Sequence, residues 1–311
     1  MKLAVFEINN SKRLGIVSKE YVIDLNKAFS YFKKGKDKRL AENLLDFIEK
    51  GEEALKKAEI ILDYVASKNY CLEDAVFNLN EVSFKQPIFN PPKIICIGLN
   101  YEDYRRILGL ERLEVPSFFL KASSTLIGHE DTIFIPRYYG SIFHEWELAV
   151  IISKKCKNVP KEKFEDVIFG YTIFHDITAH DLEMIKGRRY QQWAKNIDTF
   201  GPLGPWVVTK DELKDKLYNL RMIRRRNGKV ECESSTKYMS FHIDEIISFL
   251  STFITLEPGT IISLGSPPTG PISDGDVIET EIEGIGILRN YVKEVDVQLR
   301  YAKEIGLLNK K

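Results

Sequence analysis

Between Phe143 and Ile152 the chain reads Phe-His-Glu-Trp-Glu-Leu-Ala-Val-Ile-Ile, an apolar, β-branched run that suits a buried strand yet carries two acids. Successive side chains of a strand point to opposite faces, so Glu145 and Glu147 project side by side. Two like charges beside Leu148, Ala149, Val150, Ile151 and Ile152 are costly to bury unless protons or a cation neutralise them. Asp176 ends the next apolar run and supplies a third carboxylate. A Glu-x-Glu pair alone also fits a solvated face; the apolar setting and the third acid favour a metal. Three carboxylates from two neighbouring elements suit octahedral Mg2+ or Mn2+, which leaves positions for water and substrate oxygens. By the same alternation His144 and His175 face away from the ligand side and read as core groups.

Around this constraint the chain divides into two expected units. Residues 1 to about 25 hold three short strands, and positions 28 to 67 change to helical spacing. There Leu44, Leu45, Phe47 and Ile48, then Leu55, Ala58, Ile61, Leu62 and Val65, mark two amphipathic helices. Together they predict a small N-terminal α+β lobe over residues 1–83, followed by a proline-punctuated linker from Phe84 to Pro92. The second unit, 92–301, is strand-rich, with runs at 93–97, 117–120, 132–135, 147–153, 167–173, 206–209, 220–225, 260–264 and 276–283. Helices are expected only at 179–186 and 243–252. The fold class is therefore α+β and β-rich, without the strand–helix alternation of a doubly wound parallel sheet, and no nucleotide-binding glycine fingerprint is present.

Lys+Arg and Asp+Glu both total 45, so nothing in the overall charge calls for nucleic acid. The one basic cluster, Arg221 with Arg224, Arg225 and Arg226, reads as a solvated strand end or a subunit contact. Cys71, Cys96, Cys156 and Cys232 lack the spacing of a zinc site or a disulfide framework. There is no membrane-length apolar run, and the N-terminus leads straight into a strand pattern, so a cytoplasmic location is expected.

The ordered motifs resemble the fumarylacetoacetate hydrolase superfamily over about residues 92–295. Lys93-Ile94-Ile95-Cys96-Ile97-Gly98-Leu99-Asn100-Tyr101 is similar to its opening strand and Gly-x-Asn-Tyr turn, and Phe119-Leu120-Lys121-Ala122-Ser123-Ser124 to its Phe-x-Lys-x-x-Ser segment. His144 to Val150 resembles the metal strand, and Gly170 to Asp181 the stretch holding the third carboxylate. Lys195 to Trp206 is close to Lys-x-x-Asp-x-x-x-Pro-x-Gly-Pro. Asn227-Gly228, Leu256-Glu257-Pro258-Gly259, Gly265-Ser266-Pro267 and Gly275-Asp276-Val277 complete the series.

The resemblance implies a mixed β-sandwich roll, a homodimer, and a divalent metal on Glu145, Glu147 and Asp176 that grips the 2-oxo-carboxylate end of a small acid. It places Lys195 beside the metal and makes Lys121 a second candidate, with Tyr101, Tyr104, His180 and Ser266 toward the substrate. Catalysis would then be Lewis-acid stabilisation of an enolate. The family's hydrolases carry a histidine and a glutamate on a lid after Asn-Tyr; here those positions are Tyr104 and Ile107. Without that imidazole, general-base activation of water loses its usual agent, unless Glu102 or Asp103 substitutes. The expected reaction is therefore isomerisation, decarboxylation or dehydration of a 2-oxo or 2-hydroxy-dienoic acid. Two alternatives stand: a C–C hydrolase of an acylpyruvate or fumarylacetoacetate-like diketo acid, and a catalytically silent small-acid-binding homologue. His180, where the family has arginine, and the Leu264-Gly265-Ser266-Pro267 turn bear on substrate identity more than on the metal.

Overall fold

Period-two burial organises this molecule, and the computed structural model describes it over residues 1–34, 39–185 and 188–296. The chain opens with an antiparallel meander, β1 (Lys2–Ile8), β2 (Ser11–Ser18) and β3 (Tyr21–Asp24). Then come α1 (Leu25–Phe32), capped by the Asp24 side chain, and α2 (Leu44–Ser67). Gly51 breaks α2 with φ 57° and ψ −135°, so the two helical stretches seen in the sequence are the two halves of α2. The chain continues through β4 (Val76–Asn78), β5 (Ser83–Lys85), β6 (Ile94–Gly98), α3 (Glu102–Leu108), β7 (Ser117–Lys121), β8 (Leu126–Ile127) and β9 (Thr132–Pro136). Next are β10 (Ile142–Ile152), β11 (Ile168–Ala179), α4 (His180–Glu183), β12 (Met184–Ile185), β13 (Arg188–Arg189), α5 (Gln191–Lys195) and β14 (Gly201–Thr209). Last come β15 (Arg221–Arg226), β16 (Lys229–Ser235), α6 (Ile243–Phe253), β17 (Ile261–Ser263), β18 (Gly270–Ile272), β19 (Val277–Ile282) and β20 (Gly286–Val295).

The strands form a 13-stranded sheet along β4-β3-β2-β1-β14-β11-β10-β17-β6-β7, with β18, β5 and β8 attached to β10, β1 and β14. A five-stranded sheet runs β16-β15-β19-β20-β9. This is the β-rich α+β sandwich expected from the sequence. Even-numbered β10 residues, Trp146, Leu148, Val150 and Ile152, join Met222, Ile282 and Leu288 of the second sheet and Ile243, Ile246, Ile247 and Leu250 of α6 in one core. Odd-numbered Ala149 and Ile151 face the other way, into a core shared with Phe47, Ile61, Phe169, Phe174 and Leu203. Each of the Leu, Ile, Val, Phe and Met side chains among these, buried completely, contributes roughly 1.5–3 kcal/mol. β1 pairs with β14 through Lys2↔Val208 and Leu3↔Val207, so the N-terminal strands extend the large sheet.

Some elements differ from the sequence reading. The helix expected at 179–186 is the four-residue α4, followed by β12; Lys186 and the expected domain end at 297–301 lie outside the described residues. β16 was not anticipated, because as an edge strand it is exposed over most of its length and carries no apolar alternation. The arginine cluster lies on β15, where Arg221, Arg225 and Arg226 pair with Glu233, Glu281 and Glu231. Cys71, Cys96, Cys156 and Cys232 are free thiols. Among the described residues no helix is long and apolar enough to cross a membrane.

Candidate metal and substrate site

Antiparallel register brings the three acids together. Glu145 on β10 stands opposite Asp176 on β11, and Glu147 stands opposite Phe174, one pair further along the same face. One oxygen from each of the three lies within 4.8 Å of the other two. Glu147 and Asp176 are buried, and Glu145 is partly exposed.

Two lysines reach in from elsewhere. Lys195, at the end of α5, donates to Glu145 Oε1 at 2.6 Å and to Asp176 Oδ2 at 2.7 Å. Lys121, at the end of β7, donates to Asp176 Oδ1 at 2.6 Å. Thr178, two residues after Asp176 on the same face of β11, donates to Glu145 Oε1 at 2.6 Å. Glu147 Oε2 accepts from the Ser263 hydroxyl and, at 2.9 Å, from the Gly265 N–H.

The electrostatics are uneven. Burial raises the Asp176 carboxyl, but Lys121 and Lys195 outweigh it and hold the group below its ordinary value. Among the described residues no cationic side chain bonds to Glu147: burial first, then the charges of Asp176 and Glu145, push its carboxyl well above the usual range. Burial also raises Glu145, partly offset by Lys195. Burial disfavours the Lys195 ammonium, yet Asp176 and Glu145 together raise its pKa, so it stays charged.

Two ammonium groups among the described residues face the three acids, so the trio carries an uncancelled charge only when Glu147 is ionised, and a cation that displaces its proton would take up that charge. Among the described residues no hydrogen-bond donor reaches Glu145 Oε2 or Glu147 Oε1. Three clustered carboxyl oxygen donors, two of them with free lone pairs, match a hard divalent cation, so the residues present fit the ion.

The other expected residues are placed as follows. Tyr104, on α3, bonds through its hydroxyl to Thr269 at 2.8 Å and is near enough to Glu145 and Lys195 to feel their charges. Ser266 lies on the loop beside Glu147, where its hydroxyl accepts from the Trp146 N–H and donates to the Pro267 carbonyl. His180 opens α4 and packs against Phe143 with the rings tilted and their centroids 4.8 Å apart. Tyr101, expected against the substrate, is instead wholly buried in the sandwich core with its hydroxyl on Met222, because its bridge to Met239 turns it inward. Glu102 pairs with Arg106. Asp103 accepts from Ser234 and caps the Tyr104 N–H. Neither acid is bonded to the carboxylate cluster. His144 and His175 lie in the core, ring centroids 4.3 Å apart, both against the Thr280 hydroxyl. Thr178, Ser263 and Thr269 were not singled out from the sequence. Only Thr178 left a signal there, its two-residue spacing from Asp176.

Comparison with known proteins adds to this geometry. The family profile described as fumarylacetoacetate (FAA) hydrolase C-terminal matches residues 93–293. An uncharacterized protein of Methanocaldococcus jannaschii is 46% identical over 230 residues, covering 70% of this chain and 94% of that one. A mitochondrial oxaloacetate tautomerase of Xenopus laevis is 35% identical over 304 residues, covering 94% of this chain and 90% of its own. A solved structure of a Sphingobium maleylpyruvate hydrolase, in complex with manganese(II) and pyruvate, superposes with a TM-score of 0.72 at 30% identity, covering 94% of this chain and 99% of that one.

Proposed function

The chain belongs to the fumarylacetoacetate hydrolase family, and on that premise we propose that it is a divalent-metal-dependent enzyme that interconverts or cleaves a small 2-oxo acid by enolate chemistry, as a tautomerase, isomerase, decarboxylase or dehydratase does. The observation that carries this reading is a cation-ready carboxylate trio facing a lid helix that has no imidazole. A divalent cation held by Glu145, Glu147 and Asp176 would supply Lewis acidity toward the 2-oxo group, favouring the enolate over the ketone. Lys195 keeps its positive charge through the ion pairs with Glu145 and Asp176 and can stabilise negative charge that develops on a substrate oxygen. The Tyr104 phenol, whose pKa burial raises further, stays protonated at neutral pH and is suited to donating a hydrogen bond rather than deprotonating water. Glu102 and Asp103 are engaged with Arg106 and Ser234, which leaves the lid without a free base.

A second reading, C–C bond hydrolysis, is supported by the similarity to the maleylpyruvate hydrolase. The two separate by assay. Oxaloacetate, acylpyruvates and hydroxydienedioates are offered with Mg2+ or Mn2+, following enol–keto conversion and double-bond migration beside release of cleaved acids. The expected result is metal-dependent turnover without hydrolytic products, abolished in Glu147→Ala. Hydrolytic products establish the second reading. If calorimetry shows that the metal binds and every substrate is left untouched, the protein is a silent small-acid binder.

A further inference from the structure

Enolate chemistry needs a group that takes a proton from the carbon beside the 2-oxo group and gives it back. Neither the lid nor the two lysines supply one. Lys121 and Lys195 are committed to carboxylates, the Tyr104 phenol stays protonated, and Glu102 and Asp103 are engaged elsewhere.

Along the β10–β11 pair the face that carries the trio continues outward. Glu147 stands opposite Phe174, Glu145 opposite Asp176 and Phe143 opposite Thr178, so Phe143 shares the face of the two glutamates. The bond from Thr178 to Glu145 Oε1 lies on that same face. Burial falls in the same direction: Glu147 is buried, the Glu145 side chain is 23% exposed, and His180 is exposed. The mouth of the site is therefore at the Phe143 end, and the His180 ring packs there, its centroid 4.8 Å from that of Phe143. Phe143 is one strand repeat, about 7 Å, from Glu145, a span that a small acid held at the trio crosses.

Helices α4 and α3 face each other across this mouth. Glu183, three residues after His180, lies on the same side of α4. Its charge is felt at the Tyr104 hydroxyl, as those of Glu145 and Lys195 are, and its carbonyl accepts from the Tyr190 N–H at the start of α5, the helix that ends in Lys195. Asp181 is turned away, with Oδ2 on the Ser141 N–H. Among the described residues neither the His180 imidazole nor the Glu183 carboxylate makes a hydrogen bond, so both are open to a ligand in the mouth.

We propose that His180 is the proton carrier of the reaction: one imidazole nitrogen takes a proton from the carbon next to the 2-oxo group and later returns it to the oxygen or to another carbon. The electron pair of the broken C–H bond becomes the enolate C=C while the carbonyl π pair moves onto oxygen. Return of the proton restores the neutral imidazole, so nothing is consumed. The Glu183 charge favours the imidazolium formed in between. The assignment rests on the metal-dependent 2-oxo acid reading above and adds the base that reading lacks.

Deuterium uptake isolates this step from the overall reaction. Mg2+-loaded protein is incubated with pyruvate in D2O and loss of the methyl proton signal is followed by NMR, while calorimetry measures pyruvate binding to the same protein. The wild type is expected to exchange the methyl protons well above the rate with Mg2+ alone. In His180→Gln exchange falls about hundredfold or more, the scale of general-base catalysis, with Mg2+ and pyruvate bound as before, and added imidazole restores exchange in His180→Ala. Exchange in His180→Gln within about threefold of wild type, far short of that scale, overturns the assignment of His180 alone, as does a wild type that binds pyruvate without exchange. Loss of exchange with weaker pyruvate binding and no rescue makes His180 a binding residue only and overturns it as well. If neither Mg2+ nor pyruvate binds the wild type, the metal-dependent reading falls with it.

Discussion

Glu147 is where the charge of the site is least balanced. It accepts from Ser263 and Gly265 but touches neither lysine, so its ionisation is opposed by burial and by two neighbouring acids. Glu147→Gln removes that strain along with a ligand. In chelator-treated protein the variant is expected to melt at or above the wild-type temperature, whereas Mg2+ raises the wild-type melting temperature and leaves the variant unmoved. A wild-type melting curve indifferent to Mg2+ would remove the basis for the metal site. The buried imidazoles give a pH dependence of a different kind. Burial holds His175 neutral with a pKa of about 3, and burial first, with the Arg224 charge also contributing, holds His144 well below its ordinary value. Above about pH 6.5 the folded and unfolded states are both neutral at these positions. As pH falls below that, only the unfolded chain takes up the protons, and each histidine removes about 1.4 kcal/mol of stability per pH unit until its folded pKa is reached. Urea unfolding at pH 7 and pH 5 is expected to show a loss about 2 kcal/mol smaller in His175→Asn than in wild type. The carboxylate trio and Lys195 were readable in the sequence because strand alternation and flanking motifs fix where they point. Ser263 and Thr269 were not, because hydroxyl residues are common and their partners Glu147 and Tyr104 lie 116 and 165 positions away. Tyr101 misled for a related reason: adjacency to Asn100 says nothing about which way a bridge to Met239 turns the ring.

At the scale of elements, periodicity found most segments with a buried face, but it missed β20, where buried Leu288, Asn290 and Val292 alternate with more exposed neighbours. Both halves of α2 and the whole of α6 carry apolar stripes and were found; β16 and α5 carry none and were missed. Gly51 shows what periodicity alone leaves open. Two amphipathic stretches could belong to two helices joined by a loop, and a single residue at φ 57°, ψ −135° joins them instead. That backbone region is strained for any residue with a Cβ, although the space around Gly51 is open. Gly51→Ala is therefore expected to cost about 1–3 kcal/mol through backbone strain alone, read as a lower urea midpoint with an unchanged slope. α3 is short but firmly held. Arg105 is buried with a bond to Ser240, and Asp103 is tied to Ser234, so Tyr104 is presented from a helix anchored on both sides.

For the whole molecule, the division read from the sequence, a lobe at 1–83 and a larger unit from 92, meets a continuous sheet. β1 hydrogen-bonds to β14, and the core beneath α2 draws on Phe169, Phe174 and Leu203 as well as on Phe47. Composition shifts and proline linkers report where the chain changes character; they do not report a strand returning to an edge two hundred residues later.

The β10–β11 hairpin has one more consequence, for the order in which the protein assembles. All three acids belong to this single antiparallel pair, whereas the lysines that partly neutralise them arrive from outside it, 55 and 19 positions from Asp176. If the two strands zip together from their connected ends, where Ile152 meets Ile168, before α5 docks, the three carboxylates crowd before either lysine is in place. Self-repulsion should then retard collapse, and a divalent ion in the medium should relieve it. Refolding from urea followed by stopped-flow fluorescence is expected to be faster in millimolar Mg2+ than in Na+ of equal ionic strength, and Glu147→Gln should narrow the difference. Equal rates for the wild type in the two salts would mean that the lysines arrive first. On this view a divalent cation would act on the hairpin during folding as well as at the finished site.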